Sequence, residues 1–226
     1  MTAYRRYCIY VVPEGPLYDR GADWLGWDSV AGRDRTPPEL PGLSAPAATL
    51  TRRPRKYGFH GTVKPPFRLA AGADPEVLRS ALDRFCAGRA PVALDGLAVA
   101  PMGRFVALRP EGPTDALAAL AGDTVRALDA FRDPPTEAEI ASRTGPGLTE
   151  RQASMLARWG YPFVMDEFRF HLTLTGPLEA PTDAARILAA HFDDVLSQPM
   201  VIGSLALLGE AADGRFHVLH RSALSG

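Results

Sequence analysis

Lysine is nearly absent from this chain. Of its 25 lysines and arginines only Lys56 and Lys64 are lysines, an imbalance most simply read as a bias in codon composition. Cysteine is just as scarce. Cys8 and Cys86 stand too far apart for a metal-ligand or redox spacing, and each is expected to be a small buried residue in a reducing compartment. No apolar run approaches the length that crosses a bilayer, and Pro13 and Glu14 cut CIYVV far short of a secretory leader. Neither sign of charge prevails: 26 acidic residues leave a net charge of −1, which removes any global attraction to nucleic acid or an anionic membrane. An anion site must therefore be local. A cytoplasmic protein without a membrane partner is expected.

Apolar residues make up 46% of the 226 positions, ample for the core of one large domain or two fused lobes. Tyr4 to Pro13, aromatic and β-branched, reads as a strand. Pro16 to Gly26 reads as a short helix weakened by Gly21, and Trp27 to Pro54 as a long loop dense in proline and glycine. A loop of that length is commonly functional, and a lid over a cleft is one such use. Asp74 to Gly88, Pro113 to Phe131, Leu148 to Gly160 (Thr149 as its cap) and Pro181 to Leu196 carry helix periodicity, with Asp133 to Gly147 as a linker. Strands are expected at Lys56–Lys64, in PVALDGLAVA and RFVALRP, at Glu167–Gly176, and in PMVIGSLALLGE with GRFHVLHR.

Two of these strands match. HGTV begins at His60 and HLTL at His171, a step of 111 that recurs between Gly103-Arg104-Phe105 and Gly214-Arg215-Phe216, and between Leu108 and Leu219. This predicts two β-α-β-β repeats about a pseudo-twofold axis. The first spans about 56–110 and the second about 167–222, with linker helices over about 113–160 and strand 4–13 added to a sheet.

Side chains at even separations along a strand share a face. Lys56, His60, Thr62 and Lys64 should therefore point one way, and Arg169, His171 and Thr173 likewise, with aromatic and aliphatic residues opposite. Facing repeats would bring two imidazoles and two hydroxyls to one cleft edged by cations. In-line displacement at phosphorus needs a base on one side and an acid on the other. Two imidazoles supply both near neutrality, hydroxyls and cations can hold the non-bridging oxygens, and the chemistry requires no metal. Tyr161 in WGYPF is within reach of such a cleft, although packing is the default role for an aromatic. His217 and His220 fall on opposite strand faces and read as structural, as does His191.

The paired H-x-T motifs HGTV and HLTL resemble the 2H phosphoesterase superfamily. The longer strings YGFHGTVKPPFRL and WGYPFVMDEFRFHLTLTGPL are similar to a branch often encoded beside carbon–phosphorus lyase genes for phosphonate use. The resemblance implies a bilobal α/β (α+β) fold with mainly antiparallel sheets around a central cleft and helices outside. It implies metal-independent attack on a cyclic phosphodiester, with His60 and His171 as the acid/base pair, Thr62 and Thr173 as phosphate-binding hydroxyls, and no cofactor. Lys64 and Arg169 are expected at the cleft edges. Lys56, beside Arg52, Arg53 and Arg55, is expected either in a solvated loop or in a clamp for a second phosphate. The partner expected is a small cyclic phosphate, with 5-phosphoribosyl 1,2-cyclic phosphate favoured. An RNA 2′,3′-cyclic-phosphate phosphodiesterase or end-joining enzyme is the alternative, nucleic acid being disfavoured by the acidic balance. A non-catalytic binder of phosphate esters is the rival from another class.

Overall fold

The computed structural model describes residues 4–144, 147–196 and 199–226, and every structural statement concerns these. Residues 145 and 146 of the expected linker, and 197 and 198 of the expected second repeat, lie outside them.

The chain opens with β1 (Tyr7–Val11), buried along its whole length. Helix α1 (Gly15–Leu25) carries Pro16 in its first turn and stops at Gly26, whose φ of 79° ends it in the left-handed region. Gly21, expected to weaken this helix, makes room for a neighbour: the Phe59 ring fills the space that a side chain there would take. Phe59 is fully buried, so truncating it to alanine should cost about 3–5 kcal/mol.

The expected long loop holds short elements: β2 (Trp27–Asp28), β3 (Arg33–Asp34), α2 (Ala47–Leu50) and α3 (Arg52–Arg55). Asp28 pins it. That buried carboxylate accepts from the Tyr18 hydroxyl at 2.8 Å, from the backbone of Val30 and Ala31, and from Arg35 at 2.8 Å. Burial opposes its ionisation, but these donors outweigh it and hold its pKa below the usual carboxylate range. Trp27 Nε1 also donates to the Phe216 carbonyl. The first part of the segment, residues 27–35, is thus fastened down.

Then follow β4 (Gly61–Phe67), α4 (Pro75–Ala87), β5 (Val92–Leu94), β6 (Gly96–Met102), β7 (Phe105–Glu111) and α5 (Asp115–Ala127). The expected linker contains α6 (Glu137–Arg143), and α7 (Glu150–Trp159) comes next; Thr136 and Thr149 cap these two helices with reciprocal capping boxes. The chain continues with β8 (Leu172–Thr173), α8 (Pro181–Leu196), β9 (Met200–Ile202), β10 (Ser204–Glu210) and β11 (Phe216–Ala223).

Seven strands form one antiparallel sheet in the order β11-β10-β1-β4-β8-β7-β6. The fold is mixed α+β. Each half of the chain runs strand, helix, short strand, hairpin, one short strand more than a β-α-β-β unit. From Val92 to Met200, and from Gly96 to Ser204, the step is 108; from Phe105 to Phe216 it is 111. The halves are interleaved: β4 lies on the β1-β10-β11 side and β8 on the β6-β7 side. Helix α4 packs on β10 and β11 while α8 packs on β6 and β7. The sheet is joined at its middle through Gly61 and Leu172. A side chain on Gly61 would collide with the Phe170 ring at 2.3 Å, so glycine permits this close crossing.

Candidate active site

At the join between β4 and β8 lies a cleft of about 770 Å³ whose lining includes His60, Thr62, His171 and Thr173. His60 is placed by the turn before it. Gly58 has φ 74°, and a side chain there would strike Ser29, so only glycine makes the bend easily. The Gly58 carbonyl lies 2.9 Å from His60 Nδ1. The Arg169 carbonyl lies 2.8 Å from His171 Nδ1. In both motifs the acceptor is the carbonyl two residues back. A carbonyl only accepts, so each Nδ1 carries its proton and donates. In the neutral ring this leaves Nε2 as the free base. The lone pair of His60 Nε2 accepts from the Thr62 hydroxyl at 3.1 Å.

The surroundings of the two rings differ. His60 stacks on Tyr10 at 3.8 Å between centroids and 17° between planes, and Tyr10 is 1% exposed. Burial drives the His60 pKa down to about 4; the Gly58 carbonyl opposes this and the neighbouring His171 reinforces it. His171 meets the tilted ring of Phe105 at 5.6 Å. Its pKa is also lowered, chiefly by burial, with the Arg169 carbonyl opposing and the positive charge of Arg109 adding to the fall.

Of the cations expected at the edges, Arg169 lines the cleft. It does so from outside the strand: the expected strand over Glu167–Gly176 shrinks to Leu172–Thr173, and Met165–Glu167 forms a 3₁₀ turn instead. Arg169 Nη1 donates to the carbonyls of Asp166 and Phe168.

Lys64 is a correction. It was expected beside His60, yet it is 2% exposed and points away from the cleft, donating to the Val125 carbonyl and to Asp129, each at 3.2 Å. The cause is a β-bulge. Tyr10 pairs with Thr62 but Ile9 pairs with Lys64, so one extra residue in β4 reverses the alternation. Burial lowers the Lys64 pKa to about 8 against the pull of Asp129.

Lys56 is a second correction. The expected strand Lys56–Lys64 begins only at Gly61, and Arg52–Arg55 are helical. Lys56 lies exposed over the Tyr57 ring at 4.8 Å, off the cleft lining. Arg53 is the member of that basic run that lines the cleft. Tyr161 lines it too, packed edge-on to Phe163. From the long Trp27–Pro54 segment Arg53 and Pro54 reach the lining.

Sequence reading missed Tyr10, Arg6 and Phe105. The signal was present for the first two: Arg6 and Tyr10 alternate along the first strand and so share a face, the one that carries Thr62 across the ladder. His217 packs edge-on to Trp27 and His220 lies 2.7 Å from Asp83; they were expected on opposite faces, but a bulge in β11 pairs them with Gly209 and Leu207 and so sets both on one face. Among the described residues no group of three or more His, Cys, Asp or Glu is placed to hold a metal ion, and no helix is long and apolar enough to cross a membrane.

The family described as "Protein of unknown function (DUF1045)" matches residues 62–217, more than half of the chain. The chain belongs to this family. Two curated relatives of this DUF1045 protein, from Janthinobacterium sp. (strain Marseille) and Laribacter hongkongensis (strain HLHK9), are 36% and 38% identical over 92% of the chain. Both are named "Ribose 1,5-bisphosphate phosphokinase PhnN". The chain spans about half their length, 48% and 49%. Among solved structures, E. coli LigT complexed with 3′-AMP aligns over 99% of the chain and 100% of its own, at 16% identity and a TM-score of 0.48. TT0787 of Thermus thermophilus aligns over 98% of both chains, at 13% identity and a TM-score of 0.46.

Proposed function

We propose that this DUF1045 protein is a phosphoesterase of the two-histidine type that hydrolyses a small cyclic phosphodiester without a metal ion. One observation carries the reading: two imidazoles in one cleft, each fixed through Nδ1 so that Nε2 is the reactive nitrogen. His60, held neutral by its burial and already accepting at Nε2, takes the proton of the attacking water. His171, the less enclosed ring, gives its proton to the leaving oxygen. One P–O bond forms to water, one breaks to the sugar, and the ring opens to a monoester. Thr62 and Thr173 hold the non-bridging oxygens; as Thr62 turns to the phosphate it releases His60 Nε2 for the water. An incoming phosphate anion also raises both depressed imidazole pKa values, which favours the protonated acid.

The favoured substrate is 5-phosphoribosyl 1,2-cyclic phosphate. Opening it between phosphorus and O2 yields ribose 1,5-bisphosphate, the compound in the relatives' name. Neither lysine here follows a glycine, so the chain lacks the glycine-lysine pair of a P-loop. We assign the kinase step to the other half of those longer proteins. An RNA 2′,3′-cyclic phosphate is the second reading, favoured by Phe163, which stands 46% exposed at the cleft as a stacking platform would. Steep loss of affinity with salt would mark the RNA ligand.

Phosphorus NMR of the purified protein with a panel of cyclic phosphates in EDTA tests the proposal. Conversion to monoester is expected, and its loss in His60→Ala and in His171→Ala. Turnover that vanishes with chelator, or survives both substitutions, removes it. Ligand binding without turnover of any ester would favour a non-catalytic binder.

A further inference from the structure

The cleft wall beside His60 carries polar groups that the chemistry at phosphorus does not use. Arg6 spends Nε and Nη2 on Glu210, the latter at 2.8 Å, so its guanidinium is held as a fixed fork. Its Nη1 has no hydrogen-bond partner among the described residues, and Arg6 lines the cleft. The Phe216 ring seats this cation at 5.9 Å and packs against Tyr57 at 5.0 Å. Tyr57 in turn lies 6.0 Å from the His60 ring. One helical turn earlier comes Arg53, exposed, on the cleft lining, and without a carboxylate partner among the described residues. The Tyr57 hydroxyl likewise has no hydrogen-bond partner among them.

Three donors thus line the cleft, the Tyr57 ring standing beside the base. An isolated cyclic phosphate would not occupy them, because the imidazoles and threonines already serve its oxygens. Donors of this kind suit the doubly charged oxygens of a phosphate monoester.

We infer that Arg6, Arg53 and Tyr57 form a second anion subsite, which takes a phosphate monoester carried by the substrate away from the ester that is opened. This rests on the cyclic-phosphodiesterase reading and refines it: specificity for a doubly phosphorylated sugar resides in this wall, not in Lys56 or the rest of the basic run.

The test compares kcat/KM for ribose 1,2-cyclic phosphate with and without a 5-phosphate. Wild type prefers the phosphorylated ester, and Arg53→Gln lowers that preference by about tenfold or more, the loss expected of a charge-assisted hydrogen bond. Tyr57→Phe lowers it by less. Arg52→Gln removes an equal charge that does not line the cleft and keeps the wild-type ratio. Arg53 is exposed, so the glutamine variant should fold; a circular dichroism melt checks this. In parallel, ribose 5-phosphate, which has no cyclic ester to open, is titrated by calorimetry into wild type and Arg53→Gln, with weaker binding expected in the variant. A ratio that Arg53→Gln leaves unchanged, an equal fall in Arg52→Gln, or ribose 5-phosphate binding both proteins alike or wild type not at all overturns the subsite. If wild type opens neither ester, the hydrolase reading falls, and the calorimetric comparison alone decides the subsite.

Discussion

His60 stands two residues after a left-handed glycine and precedes a seven-residue strand; His171 follows Phe168-Arg169-Phe170 and precedes a strand of two residues. Despite these unequal settings, each ring makes the same bond to the carbonyl two residues back. Ring orientation therefore depends on local backbone shape and not on how far the strand extends. The environments differ where the bond does not: His60 lies flat on a buried tyrosine, and His171 meets a tilted phenylalanine. Duplication of a motif gives two similar acid/base groups. Only unequal packing can make one of them the base.

The largest test of that comparison removes each ring. His60→Gln and His171→Gln should each lower kcat by about 10²- to 10⁴-fold, and the double variant should lose far less than the product of the two, since either loss disables the same step. Thr62→Ala and Thr173→Ala should each cost about 10- to 100-fold in kcat/KM, read from steady-state rates.

The pH profile separates the two rings. As the base, His60 must be neutral, so kcat/KM should fall as pH drops through about 4. As the acid, His171 must be protonated, so it should fall again as pH rises through a pKa held below the ordinary 6.5. Tyr10→Leu should admit water to His60 and move the acid limb upward, while Phe105→Leu leaves that limb in place. Stability follows the same logic. A histidine whose folded pKa is depressed binds fewer protons folded than unfolded, so its burial costs stability as pH falls from about 6.5 toward 4. His60→Gln should flatten that slope in chemical denaturation. The smallest effect is expected at Lys64. Lys64→Met, on the far side of the bulge, should change kcat/KM by less than about twofold, because Asp129 keeps its 2.8 Å bond to Arg132.

Lys64 also shows where the sequence stops being legible. Two-residue alternation groups His60 with Thr62 on the cleft and puts Phe59 in the core, but Tyr57 and the buried Val63, expected on the opposite face, also line the cleft. It fails one residue further on, because a bulge is set by the partner strand and leaves no mark in KYGFHGTVK. Lys56 failed for a local reason: a helical turn and the left-handed Gly58 intervene before the strand begins. The basic run was visible in the sequence, but which arginine would face inward depended on how that turn docked. Helix α6 was overlooked between prolines although Thr136 and Glu139 spell out its capping box. The stacking of Tyr10 needed the pairing of β1 with β4, a contact between residues some fifty positions apart.

The interleaved strands have a bearing on synthesis. Tyr7 pairs with Gly209, and helix α4 packs on strands that leave the ribosome more than a hundred residues after it. A nascent chain can lay β1 against β4 early, but the other edge of β1 stays open until β10 has been made. Such non-local closure is slow, and until it happens that bare edge is a place for two growing copies to stick together.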